Sequence, residues 1–177
     1  MTAVSLEEIV ARLVERVEAR YYGKYRGQVT DNEDPDDLGR VKAKVPALLG
    51  DEELGWALPA FAYGGTAEQG FFAVPDVDAG VWIEFEGGHL SHPIWTGTWY
   101  PSGAIPESAK ATKKVLKTTA GHKIVFDDDG ESLEITDSSG NTIKMDSAGI
   151  EIADANGHTI KMTSSSVTIN GGALEVM

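Results

Sequence analysis

Gly140-Asn141-Thr142-Ile143-Lys144-Met145 recurs seventeen positions on as Gly157-His158-Thr159-Ile160-Lys161-Met162. A looser copy stands upstream at Gly121-His122-Lys123-Ile124-Val125-Phe126. Between the copies lie Leu133-Glu134-Ile135, Ile150-Glu151-Ile152 and Val167-Thr168-Ile169, again seventeen apart. Asp129-Gly130, Ser139-Gly140, Ala148-Gly149, Asn156-Gly157 and Asn170-Gly171 supply turn signals between the runs. Apolar residues spaced by two read as strands, and a fixed period marks a repetitive β architecture over residues 121–177.

A single-chain triangular solenoid of this period needs three apolar faces per turn. Each unit here offers two apolar pairs, Ile-x-Met and Ile-x-Ile or close substitutes. One chain therefore falls short of a dry core, whereas three copies about a common axis each supply part of every layer. The expected form is a C-terminal triple-stranded intertwined β-helix, hence a homotrimer. Twelve positions per chain are its expected trimer core: Ile124, Phe126, Leu133, Ile135, Ile143, Met145, Ile150, Ile152, Ile160, Met162, Val167 and Ile169. An isolated chain would leave most of that apolar surface in water.

Upstream, residues 21–103 read as short strands broken by turns. Tyr25–Thr30 is the first, then Gly39–Pro46, in which Val41, Ala43 and Val45 alternate with Arg40, Lys42 and Lys44. Trp56–Ala60, Gly70–Pro75, Val81–Glu86 and His92–Trp99 follow. Short strands with no helical repeat between them fit a small closed β-barrel. Residues 104–120, with Pro106, Lys110, Lys113, Lys114 and Lys117, read as a basic linker, either simply solvated or a counter-charge for an acidic neighbour. Residues 1–20 read as an α-helix, with Ser5 and Glu8 spaced as a capping box. Its stripe Leu6, Ile9, Val10, Leu13, Val14 and Val17 is too short to be stable alone, and needs its own domain, a partner or its own copies to pack on.

Composition narrows the function. The 177 residues carry a net charge of -13, which argues against a nucleic-acid partner held by phosphate contacts. The absence of cysteine excludes disulfide scaffolds, thiolate metal sites and cysteine nucleophiles. No apolar run approaches a membrane-spanning helix, and no signal peptide is read at the N-terminus. His89 and His92 form an H-x-x-H outside any helical pattern, while His122 and His158 share the repeat position of Asn141, which reads as a surface turn. Asp127-Asp128-Asp129-Gly130 lacks calcium-loop spacing, and Asp31–Asp37 reads as a solvated turn. No catalytic residue, metal ligand or cofactor site is expected, and the chain does not read as an enzyme.

Gly27-Gln28-Val29, Asp34-Pro35, Gly39–Pro46, Trp56-Ala57, Gly70-Phe71-Phe72, Val81–Gly88 and Pro93–Gly97 together resemble the phage baseplate assembly protein V family. The same domain occurs in the spike proteins of type VI secretion and of extracellular contractile injection systems. The positions that carry the resemblance include Gly39, Arg40, Val41, Val45, Pro46, Trp56, Pro75, Phe85 and Gly97. It implies an oligonucleotide/oligosaccharide-binding (OB) barrel followed by a triple-stranded β-helix, three copies forming the central spike under a tail tube. Such a protein is made in the bacterial cytoplasm, joins a phage tail or contractile injection particle, and pierces the target envelope when the sheath contracts. Its expected partners are two further copies, tail hub or tube and baseplate proteins, and a separate PAAR-like tip protein. No nucleic acid and only transient contact with a target membrane are expected. Some relatives insert a lysozyme domain after the barrel, for which the segment from Gly103 to Gly121 has no room, and some end in an iron-binding histidine tip that Gly171–Met177 lacks. Leu6, Ile9, Val10, Leu13 and Val17 are candidate hub-docking positions. The rival reading is a trimeric carbohydrate-binding or adhesive fibre module, in which Trp82, Trp95 and Trp99 would stack on sugars; their alternation suits barrel core better.

Overall fold

The structure is a computed structural model that describes residues 5–18 and 20–176. Met1–Val4, Ala19 and Met177, which fall within the ranges read as N-terminal helix and C-terminal repeat, lie outside the described residues. The chain divides into two compact units, residues 1–103 and 104–177.

In the first unit α1 spans Leu6–Glu18. Its capping box forms: the Glu8 N–H donates to Ser5 Oγ at 3.2 Å and the Ser5 N–H to Glu8 Oε2 at 3.4 Å. Strands β1 (Tyr25–Asp31), β2 (Lys42–Lys44), β3 (Leu58–Pro59), β4 (Gly80–Phe85) and β5 (Pro93–Trp99) follow, with the short helix α2 (Pro46–Leu49) between β2 and β3. Their order in the sheet is β2-β1-β4-β5-β3, antiparallel except for the β3–β5 pair. Beyond the two edges, reciprocal bonds between Val41 and Ala57 at 2.8 and 3.2 Å close the sheet on itself. Val29, Val41, Ala43, Val45, Ala57, Val81 and Ile83 are fully buried inside, with Leu54, Phe85 and Trp95 beside them.

Three sequence expectations for this unit change. Gly70–Pro75 is irregular chain: Phe71 and Phe72 are consecutive, so no single strand face could bury both, and both are exposed. The Gly39–Pro46 strand shrinks to Lys42–Lys44, because Pro46, which has no N–H to give a ladder, opens α2. Of the three tryptophans read as core only Trp95 is; Val81, Ile83 and Phe85 take the inner face of β4 and so turn Trp82 outward.

The second unit is an eight-stranded antiparallel meander in strict chain order. Its strands are β6 (Lys113–Lys117), β7 (Lys123–Asp127), β8 (Ser132–Thr136), β9 (Thr142–Asp146), β10 (Gly149–Ala153), β11 (Thr159–Met162), β12 (Val167–Ile169) and β13 (Leu174–Val176). The stretch read as a linker, 104–120, thus contains β6. Val115 and Leu116 give it strand character, and its lysines are counter-charges for acidic neighbours: Lys110 pairs with Asp129, Lys114 with Asp128, and Lys117 with Glu107 at 2.6 Å. Lysine on an edge strand also discourages stray pairing.

Candidate functional site

The hairpin registers decide what the repeat builds. Ile124, Ile135, Ile143, Ile152, Ile160 and Ile169 stand opposite one another from strand to strand. Leu116 and Leu174 extend that row at its two ends. Two residues along each strand, Phe126, Leu133, Met145, Ile150, Met162 and Val167 form a second row in the same registers. Residues two apart share a face of a strand. All twelve expected core positions therefore lie on one face of one sheet. The two apolar pairs per repeat, read as two faces of a solenoid, are neighbouring strands of a single face.

Nothing within the unit covers that face. None of the twelve is buried, and Phe126, Ile135, Ile143, Met145, Ile152, Ile160 and Val167 are exposed, Phe126 by half. Val125, on the opposite face, is the unit's one buried side chain among the described residues. A sheet with one apolar face is stable only when a second layer packs on it. The opposite face suits water: Glu134, Lys144, Glu151 and Lys161 oppose one another with alternating charge, and the Lys161 Nζ lies 3.2 Å from Glu151.

Repeated turns hold the strands in register. Asp137 and Asp154 head equivalent turns, each donating its N–H to the carbonyl of the residue four on, Asn141 or His158, and accepting that residue's N–H on its carboxylate Oδ1. Asn141 Oδ1 accepts the Ala155 N–H at 3.1 Å, tying one turn to the next, and His122 Nδ1 accepts the Ser138 N–H at 3.2 Å in the same way. His158 instead pairs with Asp154 at 2.8 Å, which raises the imidazole above its usual value and holds the Asp154 carboxyl well below the carboxylate range. Gly149 opens β10 at φ +135°, and a Cβ there would sit 1.9 Å from the carbonyl oxygen of Met162. Only glycine lets these backbones approach.

The barrel positions form a latch. Asp34, its side chain 4% exposed, receives Arg40 Nε at 2.9 Å and Nη2 at 2.5 Å on Oδ1, and the backbone N–H groups of Leu38 and Arg40 on Oδ2. Arg40 thus holds the Asp34 carboxyl far below its ordinary value. Arg40 and Lys42 both lie over the Trp56 ring, at 5.6 and 4.8 Å from its centroid. Gly39 accepts Trp95 Nε1–H at 3.1 Å, and a Cβ on Gly39 would meet the Phe72 and Phe61 rings at 2.9 and 3.0 Å. Val41 and Val45 are core, Pro46 starts α2, and Pro75 accepts the Asn32 amide at 3.1 Å. Phe85 packs against Tyr21 and Tyr25, and Gly97 sits in the irregular stretch of the β4–β5 register. Sequence reading passed over Asp34 as a site residue because its run of carboxylates looked like a solvated turn. It also passed over Leu116 and Leu174, whose neighbours lack the repeat's pattern.

Trp82 and Trp99 share one cation: the Arg26 guanidinium lies 5.6 and 5.3 Å from their ring centroids. On α1 the stripe Leu6, Ile9, Val10, Leu13, Val14 and Val17 is exposed throughout. Among the described residues no group of acidic or histidine side chains is placed to hold a metal ion, and no helix is long and apolar enough to cross a membrane.

Two family descriptions match. Residues 25–100 match the type VI secretion system/phage-baseplate injector OB domain, and residues 113–175 match the phage baseplate V C-terminal trimerisation domain. No curated protein matches the chain.

Proposed function

We propose that this chain, which belongs to the phage baseplate V family, is the central spike of a contractile tail or injection-system baseplate. The family places it in an assembled tail particle, and its C-terminal unit is a trimerisation domain, which makes the assembly a homotrimer. The observation that carries the reading is the uncovered apolar face of β6–β13. Three such faces turned inward form a rod whose core is two in-register rows per chain and whose outside is the charged ladder. That rod is the β-helix needle. It keeps its shape without a cofactor, because every strand is bonded along the meander and every apolar row is enclosed.

In this reading the barrel is the collar that meets hub, tube or other baseplate proteins, and the Asp34–Arg40 latch keeps its β1–β2 loop rigid there. The needle pierces the target envelope, touches the membrane only in passing and carries a separate PAAR-like tip protein on its end. The protein is made in the bacterial cytoplasm and performs no chemical step, and nucleic acid is not a partner. Deletion of the chain from its source particle, followed by electron microscopy, tests this. The expected result is loss of three-fold axial density below the tube, restored by complementation. Axial density that survives the deletion overturns the reading. The adhesive-fibre alternative predicts glycan heat in calorimetry, which Arg26 disfavours by occupying ring faces of Trp82 and Trp99.

A further inference from the structure

We infer that residues 104–112 are a strap clamped across the first hairpin of the C-terminal unit, and that Glu107 is its lock, one carboxylate held between two lysines that would otherwise repel. Lys117 on β6 stands directly opposite Lys123 on β7. Their strand neighbours Leu116 and Ile124 belong to the apolar row, so both lysines lie on the charged face. From β8 to β11 that face opposes lysine to glutamate, whereas here it opposes two like charges, a destabilising pair. Glu107 resolves the conflict from outside the sheet: its Oε1 lies 2.6 Å from Lys117 Nζ and its Oε2 3.3 Å from Lys123 Nζ. The lysines, Lys117 foremost, hold the Glu107 carboxyl below its ordinary value. Glu134 adds a looser pair with Lys123 at 3.9 Å.

The strap is pinned at its other end as well. Lys110 and Lys113 exchange backbone bonds at 2.9 and 3.1 Å, Thr112 Oγ1 donates to Asp129 Oδ2 at 2.8 Å, and the Asp128 N–H donates to Thr112 O at 2.8 Å. The turn Pro106–Ser108 packs against β6. Val125, opposite Val115 on the same outer face, is buried there although the rest of that face is wet. Glu107 and Ser108 both take left-handed φ, +51° and +54°, where residues with a side chain rarely stay unheld. The strap thus sits against its own backbone preference, and the ion pairs hold it down. The chain enters the unit at Ala104, and β6 is an edge strand bonded to one neighbour, β7. A pull on the chain at Ala104 therefore reaches β7 through Lys123 as well as β6 through Lys117, instead of peeling β6 alone.

Hydrogen exchange of the full-length protein, read peptide by peptide, tests the lock in Glu107→Gln, Lys123→Gln and the double variant. Glu107→Gln keeps the side chain's size and removes its charge. Amides of residues 104–117 are expected to exchange roughly three- to ten-fold faster in it, with β9–β11 unchanged. In that background Lys123→Gln relieves the repulsion and slows exchange again, whereas in the otherwise unaltered chain it removes a partner of Glu107 and speeds exchange. That reversal of sign is the signature of a carboxylate shared between like charges. Unchanged exchange in Glu107→Gln overturns the lock, and so does a Lys123→Gln effect of the same direction in both backgrounds. Faster exchange spread evenly over the whole unit also overturns it, because the carboxylate then supports the sheet at large and not the strap. Each variant compares the strap with other strands of the same chain, so the outcome is independent of the spike role proposed above.

Discussion

Ile152→Ala probes the apolar face at the middle of its first row. Ile152 is flanked by Ile143 on β9 and Ile160 on β11, and 40% of it is exposed in one chain. Burying the whole side chain is worth about 2–3 kcal/mol, so the exposed part represents roughly 1 kcal/mol that a single chain never gains. In the proposed trimer the site would be enclosed, and removing the side chain adds a cavity term, for a loss of about 2–5 kcal/mol per chain. The change is present in every copy, so the assembly loses roughly 6–15 kcal/mol, comparable to the whole unfolding free energy of a typical domain. Guanidinium unfolding of the full chain, followed at several protein concentrations, measures this. The midpoint should fall sharply at every concentration while still rising with protein concentration, as it does for an unfolding coupled to dissociation. Glu151→Ala, one residue away on the charged face, is the control: its exposed pair with Lys161 contributes only about 0–1 kcal/mol. Equal, small effects of Ile152→Ala and Glu151→Ala would refute the enclosed apolar face.

Gly149→Ala places a Cβ against the Met162 carbonyl oxygen and should cost more than about 2 kcal/mol, seen as a lower melting point or loss of soluble trimer. Asp34→Asn removes a carboxylate whose folded value lies well below its unfolded one. That carboxylate contributes stability above about pH 4, lost as pH falls towards the folded value, so the wild-type barrel should lose melting temperature in acid more steeply than Asp34→Asn does. His158 has the opposite sign: its raised folded value makes its contribution complete below about pH 6.5 and lost as pH rises through the folded value. His158→Asn, which places there the residue found at 141, should flatten the melting profile between pH 6 and 9.

The C-terminal unit was legible because its turns and its alternation are both periodic. The spacing of Gly140 and Gly157 fixed strand lengths, and the Ile-x-Met and Ile-x-Ile pairs named the twelve apolar positions. Their sharing of one face was not legible, since it depends on which residue opposes which across each hairpin. The barrel strands were readable where Val41, Ala43 and Val45, or Val81, Ile83 and Phe85, alternate with polar residues. Trp82 misled because its alternation with its neighbours was read as marking the buried face, whereas Val81, Ile83 and Phe85 take that face and turn Trp82 towards Arg26. The Asp34 latch was hidden by its acidic neighbours: only the loop's closure shows that Asp34 alone meets Arg40 Nε and the backbone of Leu38 and Arg40.

The mass of the purified full-length chain in solution tests the central claim most directly. Sedimentation equilibrium should find a species three times the 18.9 kDa chain mass, persisting on dilution. A species of single-chain mass with protected amides across β6–β13 would contradict it, because that sheet would then be stable with its apolar face in water.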